Sequence, residues 1–321
     1  MASPNSVFTE MVATTLRNHP AEVSDNVAKH NALYRRLRDR GKIAMLDGGY
    51  EIVRPLDYAE NSTFVRYSGY DVLDVGQSDV LSAAKYDWVN SAVHITASGD
   101  ELRKNSGKEQ IIDLVRARLR NGMRTAANNM SSDMYSDGSL ANQMTGLDAQ
   151  ITTVAGATVG GIDSSVYTFW DNQRVDIGAN PTSSNIRQNM QDLWIKCVRG
   201  TDMPDLIVST QDYYNLYWNS LTDQQRYTND EKNPSNAGFN ALKFNSCDVI
   251  FDDNSNFAQA GSKMFFLNTD YLELCQHRQA SWSQMEEKVP VNQDAVVVPL
   301  IWQGNLVCSN RSLQGVLFDT A

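Results

Sequence analysis

Ser106-Gly107-Lys108-Glu109-Gln110-Ile111-Ile112-Asp113-Leu114-Val115-Arg116-Ala117-Arg118-Leu119-Arg120-Asn121-Gly122-Met123-Arg124 opens the stretch that decides how this chain is built. Ser106 with Glu109 three residues on is a capping box, in which two side chains satisfy the first free amides of a helix. Behind it, Ile111, Ile112, Val115, Leu119, Met123, Ala126, Ala127, Met130 and Met134 recur at helical spacing. The reading is one long helix over about 106–135, ending before Asp137-Gly138. At about 100° per residue, Arg116, Arg120 and Arg124 form a second, cationic stripe on it. An ion-pairing face against another subunit suits that stripe better than nucleic acid, because no aromatic or further basic partners face the same way.

Upstream of the helix the chain changes character. Between Asp47 and Asp87, glycine turns and alternating stretches such as Ser62-Thr63-Phe64-Val65-Arg66-Tyr67 read as a long β-ribbon, continued by a strand-rich stretch from Tyr86 to Ile95. Eight acids against Arg54, Arg66 and Lys85 leave that span at 3 − 8 = −5. A two-stranded ribbon is marginal in water by itself, so it is expected to lie against something else. Further upstream, Phe8, Met11, Val12, Thr15 and Leu16 share one helical face, and Val23, Val27, Tyr34 and Leu37 another, with Pro20 between. The second piece carries Lys29, Arg35, Arg36, Arg38, Arg40 and Lys42 against Asp39 alone, or 6 − 1 = +5. It is too polar to form its own core. The opposite charges of arm and ribbon suggest that the arm of one subunit pairs with the ribbon of another; the competing reading turns the arm's arginines toward nucleic acid.

Downstream, residues 145–180 read as short strands and turns. Pro181-Thr182-Ser183 opens another helix through Met190, Trp194 and Val198, followed by a strand at Asp205–Ser209 and an aromatic helix from Tyr213 to Trp218. Strands at Val249-Ile250-Phe251 and Met264-Phe265-Phe266-Leu267 complete one compact α/β insert over about 180–280. The last forty residues return to strands, including Ala295–Ile301 and Leu306-Val307-Cys308.

No reactive constellation emerges. His19, His30, His94 and His277 are isolated, and Cys197, Cys247, Cys275 and Cys308 are too far apart for metal or redox pairs, so they read as reduced, mostly buried thiols. G-x-S-x-G, G-x-G-x-x-G and P-loop frames are absent; Gly160-Gly161-Ile162-Asp163-Ser164 is a tight turn. Asp252-Asp253 and Glu286-Glu287 read as solvated acids, and the rings from Tyr213 to Trp218 as core packing ahead of a base or sugar platform. Neither a cofactor nor a metal is expected. The formal charge of −10 excludes a surface that attracts phosphates everywhere, so nucleic-acid contact must be local. No secretory signal is visible at the N-terminus, and the longest apolar run, Ala295–Trp302, falls short of the roughly 20 residues a bilayer needs, so no membrane contact is expected.

Two projecting elements that cannot stabilise themselves, a long bridging helix, an α/β insert and no chemistry describe an assembly protein. Particular stretches carry a resemblance: Tyr58–Phe64 with Arg66-Tyr67-Ser68-Gly69-Tyr70, Tyr135-Ser136-Asp137-Gly138, Gly160-Gly161-Ile162-Asp163 with Phe169-Trp170, Gln224-Gln225-Arg226-Tyr227, and Gly304–Ser312. Together with the order of elements they resemble the major capsid proteins of tailed bacteriophages. The resemblance implies an α+β, HK-97-like fold: an N-terminal arm (1–45), an extended β-ribbon or E-loop (46–97), a peripheral domain (98–179 and 281–321) holding the spine helix, and an α/β axial domain (180–280). It also implies a structural, non-enzymatic virion protein, assembled in a host bacterial cytoplasm into pentamers and hexamers of an icosahedral shell. Implied partners are a separate scaffolding protein, since the ribbon starts too early for a built-in scaffolding segment, a portal, a decoration protein, and packaged double-stranded DNA bound non-specifically. Candidate intersubunit contacts are Arg35, Arg36, Arg38, Arg40, Glu60, Arg66, Tyr67, Tyr70, Asp71, Asp74, Arg116, Arg120 and Arg124. Some relatives weld subunits through a ribbon lysine; Lys85, the only one between Asp47 and Asp87, lies toward the descending strand, so no cross-link is expected. The alternatives are an encapsulin-like cargo compartment and, from another class, a glycan-processing enzyme.

Overall fold

The computed structural model describes residues 31–73, 76–99, 108–221, 242–252, 262–284 and 294–320. The capping box at Ser106, the helical faces before Asn31 and the Gln224–Tyr227 stretch lie outside them. Helix α1 (Ala32–Asp39) leads into β1 (Ile43–Leu46) and then a hairpin of β2 (Ile52–Asp57) and β3 (Leu81–Tyr86). Strand β4 (Val89–Ser98) precedes α2 (Lys108–Asp133), the long helix expected from its apolar stripe. A short helix α3 (Leu147–Gln150), a small hairpin of β5 (Thr158–Val159) and β6 (Ile162–Asp163), and β7 (Gln173–Asp176) follow. Then come α4 (Ile186–Cys197), β8 (Leu206–Ser209), α5 (Gln211–Ser220), β9 (Leu242–Phe244), β10 (Cys247–Phe251) and β11 (Lys263–Leu267). Strands β12 (Leu272–Gln284), β13 (Ala295–Cys308) and β14 (Gly315–Phe318) end the chain.

Two sheets organise these elements. The first runs β1-β12-β13-β4, and α2 lies on it, with Met123, Ala126, Ala127, Met130 and Met134 buried in one cluster with Ile95, Leu300 and Trp302. The ribbon reading is therefore corrected at its end: the Tyr86–Ile95 stretch divides, and β4 pairs antiparallel with β13 over its whole length instead of extending the hairpin. Periodicity shows that a strand alternates, not which strand it will pair with.

The second sheet runs β7-β14-β11-β8-β10-β9. Its central strands read as unbroken apolar runs because both faces are buried. Along β8, Leu206 and Val208 join the core under α2 while Ile207 faces α4 and α5; along β11, Phe265 and Leu267 join the first and Phe266 the second. The two sheets thus share one core. Two of the six strands, β7 and β14, come from outside residues 180–280, because the shared core recruits the end of the chain. A close approach makes this docking possible: a Cβ on Gly315 of β14 would stand 2.6 Å from the Cys197 sulfur of α4.

Candidate assembly surfaces

The hairpin has a fixed base and an outlying loop. At the base, Ile52, Ala84 and Tyr86 are buried against Val159, Ile162, Trp170, Cys275 and Val307. The Tyr86 hydroxyl donates to the Cys308 carbonyl (2.9 Å), and burial pushes its phenol well above the ordinary tyrosine value. Arg54 on β2 reaches Glu273 of β12 at 2.5 Å, and the Lys85 amide donates to the Gly160 carbonyl (2.9 Å). Gly160 has φ +60°, and a Cβ there would stand 3.1 Å from that of Ala84, so glycine lets this turn sit on the hairpin.

Past Asp57 the chain leaves the body. From Ala59 to Leu73 every residue except Thr63 is exposed, including Glu60, Arg66, Tyr67, Tyr70 and Asp71; Asp74 lies outside the described residues. The sequence reading missed how apolar this loop is: Phe64 is 80% exposed and Val72 96%, joined by Val65, Tyr67, Tyr70 and Leu73. Scattered exposed apolar residues are normal, but a run of six aromatic and aliphatic side chains on one loop marks a contact surface. The loop holds its own turns, with the Ser68 amide donating to the Asp71 carboxylate (2.8 Å) and the Thr63 amide to Asn61 Oδ1 (2.9 Å). Lys85 stays in the paired base, on β3, away from the loop.

The arm's cations find partners in their own chain. Asn31 caps α1, accepting from the Tyr34 amide (2.8 Å) and donating to Ser131 Oγ of α2 (2.8 Å), while Leu33 and Leu37 are buried. Arg36 meets Asp205 (3.4 Å) and Asp248 (3.3 Å); Arg40 meets Asp205 (3.1 Å) and Asp270 (3.8 Å); Lys42 meets Asp270 (3.4 Å). Arg35 and Arg38 each lie 3.9 Å from Asp39. The acids facing Arg36 and Arg40 are thus those of the second sheet and the turn after β11, not the ribbon's. Total charge matched arm to ribbon, but the fold brings nearer acids to hand.

On α2, Arg120 and Arg124 are exposed as the stripe implied; the Arg116 side chain lies outside the description. Where β4, β13 and the end of α2 meet is a cavity of about 350 Å³ walled by Val93, Ala126, Met130, Met144, Trp282 and Trp302. Asn129 and Asp133 give it a polar edge. Trp302 is buried and its Nε1 has no hydrogen-bond partner. The Asp133 carboxylate takes one long hydrogen bond from Gln143 Nε2 (3.3 Å) and meets no cation among the described residues; burial holds it above the usual carboxylate value. Trp282, in an irregular part of β12, has φ +53°, an unusual conformation for a bulky residue that costs of order 1–3 kcal/mol.

Nothing among the described residues is set for catalysis. The four cysteines are buried and unpaired, and burial pushes the Cys197 and Cys308 thiols up to about 12, far from a nucleophile's range. Among the described residues no group of three or more His, Cys, Asp or Glu is placed to hold a metal ion, and no described helix is long and apolar enough to cross a membrane. Tyr213 and Tyr217 of α5 are buried in the core, as core packing implied, while Tyr214 and Trp218 are partly buried against it.

No protein-family model matches the sequence, and no curated protein does. Solved structures do match. The capsid asymmetric unit of cyanophage A-1(L) aligns over 87% of this chain and 90% of that one, with TM-score 0.57 at 14% identity. The capsid of Myoviridae phage XM1 aligns over 88% and 92%, with TM-score 0.52 at 14% identity. The SrpI encapsulin of Synechococcus elongatus PCC 7942 aligns over 88% and 86%, with TM-score 0.53 at 10% identity. The chain therefore has the HK-97-like α+β fold that the sequence resembled, nearly end to end.

Proposed function

We propose that this chain is the major capsid protein of a tailed phage, self-assembling through pentamers and hexamers into an icosahedral shell around double-stranded DNA. One observation carries the reading. A body with its own core extends a loop whose apolar side chains between residues 59 and 73 are exposed in the single chain, and burying such surface is the main drive for association. The shared fold points the same way, since capsids recur among its structural neighbours. In this reading the body folds first, the loop lies on a neighbouring copy, and every copy repeats the contact until the lattice closes. The protein acts as a structural, non-enzymatic component of the virion, assembled in the host bacterial cytoplasm. Scaffolding, portal and decoration proteins act as separate partners. Net negative charge suits a container that must release rather than bind its DNA.

The encapsulin neighbour supports a second reading, a compartment of the same fold holding a cargo protein. Gradient purification of the full chain from a bacterial host, followed by negative-stain microscopy and analysis of particle contents, separates the readings. Closed shells are expected. Shells isolated from infected cells that hold a protein cargo and no DNA would favour the compartment, and a persistent monomer would overturn both.

A further inference from the structure

Strand β12 is interrupted where it passes the foot of the hairpin. Between its Gln276–Gly304 and Ser281–Trp302 pairs with β13, residues 277–280 stand against Gln303 alone. A bulge of this kind leaves the ladder and needs fastening of its own. Here the Gln279 amide donates to His277 Nδ1 (3.2 Å), Ser281 Oγ donates to Gln276 Oε1 (2.8 Å), and Ser283 Oγ donates to the Gln279 carbonyl. Next in the chain is Trp282, buried at φ +53°, so the fastening holds a strained residue in place.

The same histidine touches the hairpin. Its ring stands edge-on to the Trp88 indole, with centroids 5.9 Å apart and planes at 71°. Trp88 lies between β3 and β4, and its Nε1 donates to the Gly49 carbonyl (2.9 Å) just before β2. The chain entering the hairpin and the chain leaving it are therefore pinned together by Trp88, which leans on His277. The charged side chains on the elements around it are Arg278 and Asp47, which pair at 3.0 Å, Asp87 next to Trp88, and Glu273 of β12, which pairs with Arg54 of β2. Histidine is the one residue type among these that ordinarily changes charge between pH 5 and 8.

We propose that His277 is a proton-operated fastener, which holds the bulge and the hairpin foot when neutral and releases both when protonated. Because Nδ1 accepts from the Gln279 amide, the neutral ring carries its proton on Nε2. A second proton, taken from solvent, goes to Nδ1 and turns the acceptor into a donor facing another N–H. That hydrogen bond is lost, and the ring turns away from Gln279. Trp282 is then free to leave its strained conformation, and Trp88 loses the ring it leans on. The pose of the exposed loop on the body thus depends on pH. The device works within one chain, so it goes beyond the shell reading and does not rest on it.

The test is hydrogen exchange of the unassembled full chain, read by mass spectrometry at pH 8 and pH 5 and corrected for the intrinsic exchange rates. Protection of the 277–284 segment is expected to fall about tenfold at pH 5, the scale of one hydrogen bond, with a parallel fall at 47–52. His277→Gln offers an acceptor that does not titrate and is expected to keep both segments protected at either pH. His277→Phe offers none and is expected to leave the bulge unprotected at either pH, while His94→Gln behaves as the unaltered chain. Equal protection of the unaltered chain at both pH values would overturn the proposal, as would the same fall in His277→Gln, which would assign it to another group. A loss spread through both sheets would also overturn it, because the fastener is local.

Discussion

Arg311 shows how far one residue can be committed to structure. It is fully buried, yet it donates to three neutral acceptors: the Gln150 carbonyl (2.6 Å), the Trp170 carbonyl (3.1 Å) and Asn172 Oδ1 (3.1 Å). The side chain thereby ties the end of the chain to the segment between α3 and β7. Arg311→Met would strand those acceptors in the core, so a loss of about 3 kcal/mol is expected in urea unfolding of the unassembled chain. Asp133 works in the opposite sense. Its carboxyl is held above its ordinary value by burial, so the folded chain binds that proton more tightly than the unfolded one, and ionising it costs stability. The cost is absent below the ordinary carboxylate pKa and appears as pH rises through the folded-state value. Asp133→Asn is therefore expected to raise the urea midpoint of the unassembled chain at pH 7, with the gain shrinking toward pH 3. A lower midpoint at pH 7 would show that its hydrogen bond from Gln143 outweighs the cost of burying the charge.

Elements were legible in the sequence to different degrees, for physical reasons. The apolar stripe of α2 and the unbroken runs of β8, β10 and β11 stand out because burial on one helical face, or on both faces of a strand, leaves a period in the residues themselves. Partners leave no such period. Arg36 and Asp205 are 169 positions apart, so their pairing could not be read from either segment. The cavity, likewise, joins Val93, Asp133 and Trp302 from three separate elements. The ribbon was expected to lie against something else because two strands are marginal in water, and Tyr67 and Tyr70 were read as contact residues, but Phe64, Val65, Val72 and Leu73 were not. The arm gives its own test at this scale. Asp205 takes Arg36, Arg40 and the Thr269 hydroxyl (2.9 Å), anchoring α1 to the second sheet. These cations are about a third exposed, so solvent and salt weaken each pair. Asp205→Asn is expected to destabilise by about 1 kcal/mol in thermal melts at low salt, with the difference narrowing in 1 M salt. A difference independent of salt would assign the loss to the Thr269 hydrogen bonds instead.

In the whole molecule, one core beneath two sheets carries stability and one loop outside it carries association. Because β8, β11 and β14 each contribute side chains to both sides of their sheet, the two sheets should unfold together. Far-ultraviolet circular dichroism and tryptophan fluorescence of the unassembled chain are expected to give coincident denaturant transitions. The loop should be separable from that body, since its exposed side chains add nothing to the core. The most direct measurement replaces residues 59–80 with a short glycine linker and compares this chain with the unaltered one by sedimentation and electron microscopy. The account predicts a soluble variant with an unchanged melting temperature that stays at subunit size, beside closed shells from the unaltered chain; closed shells from the loop-deleted chain would contradict it.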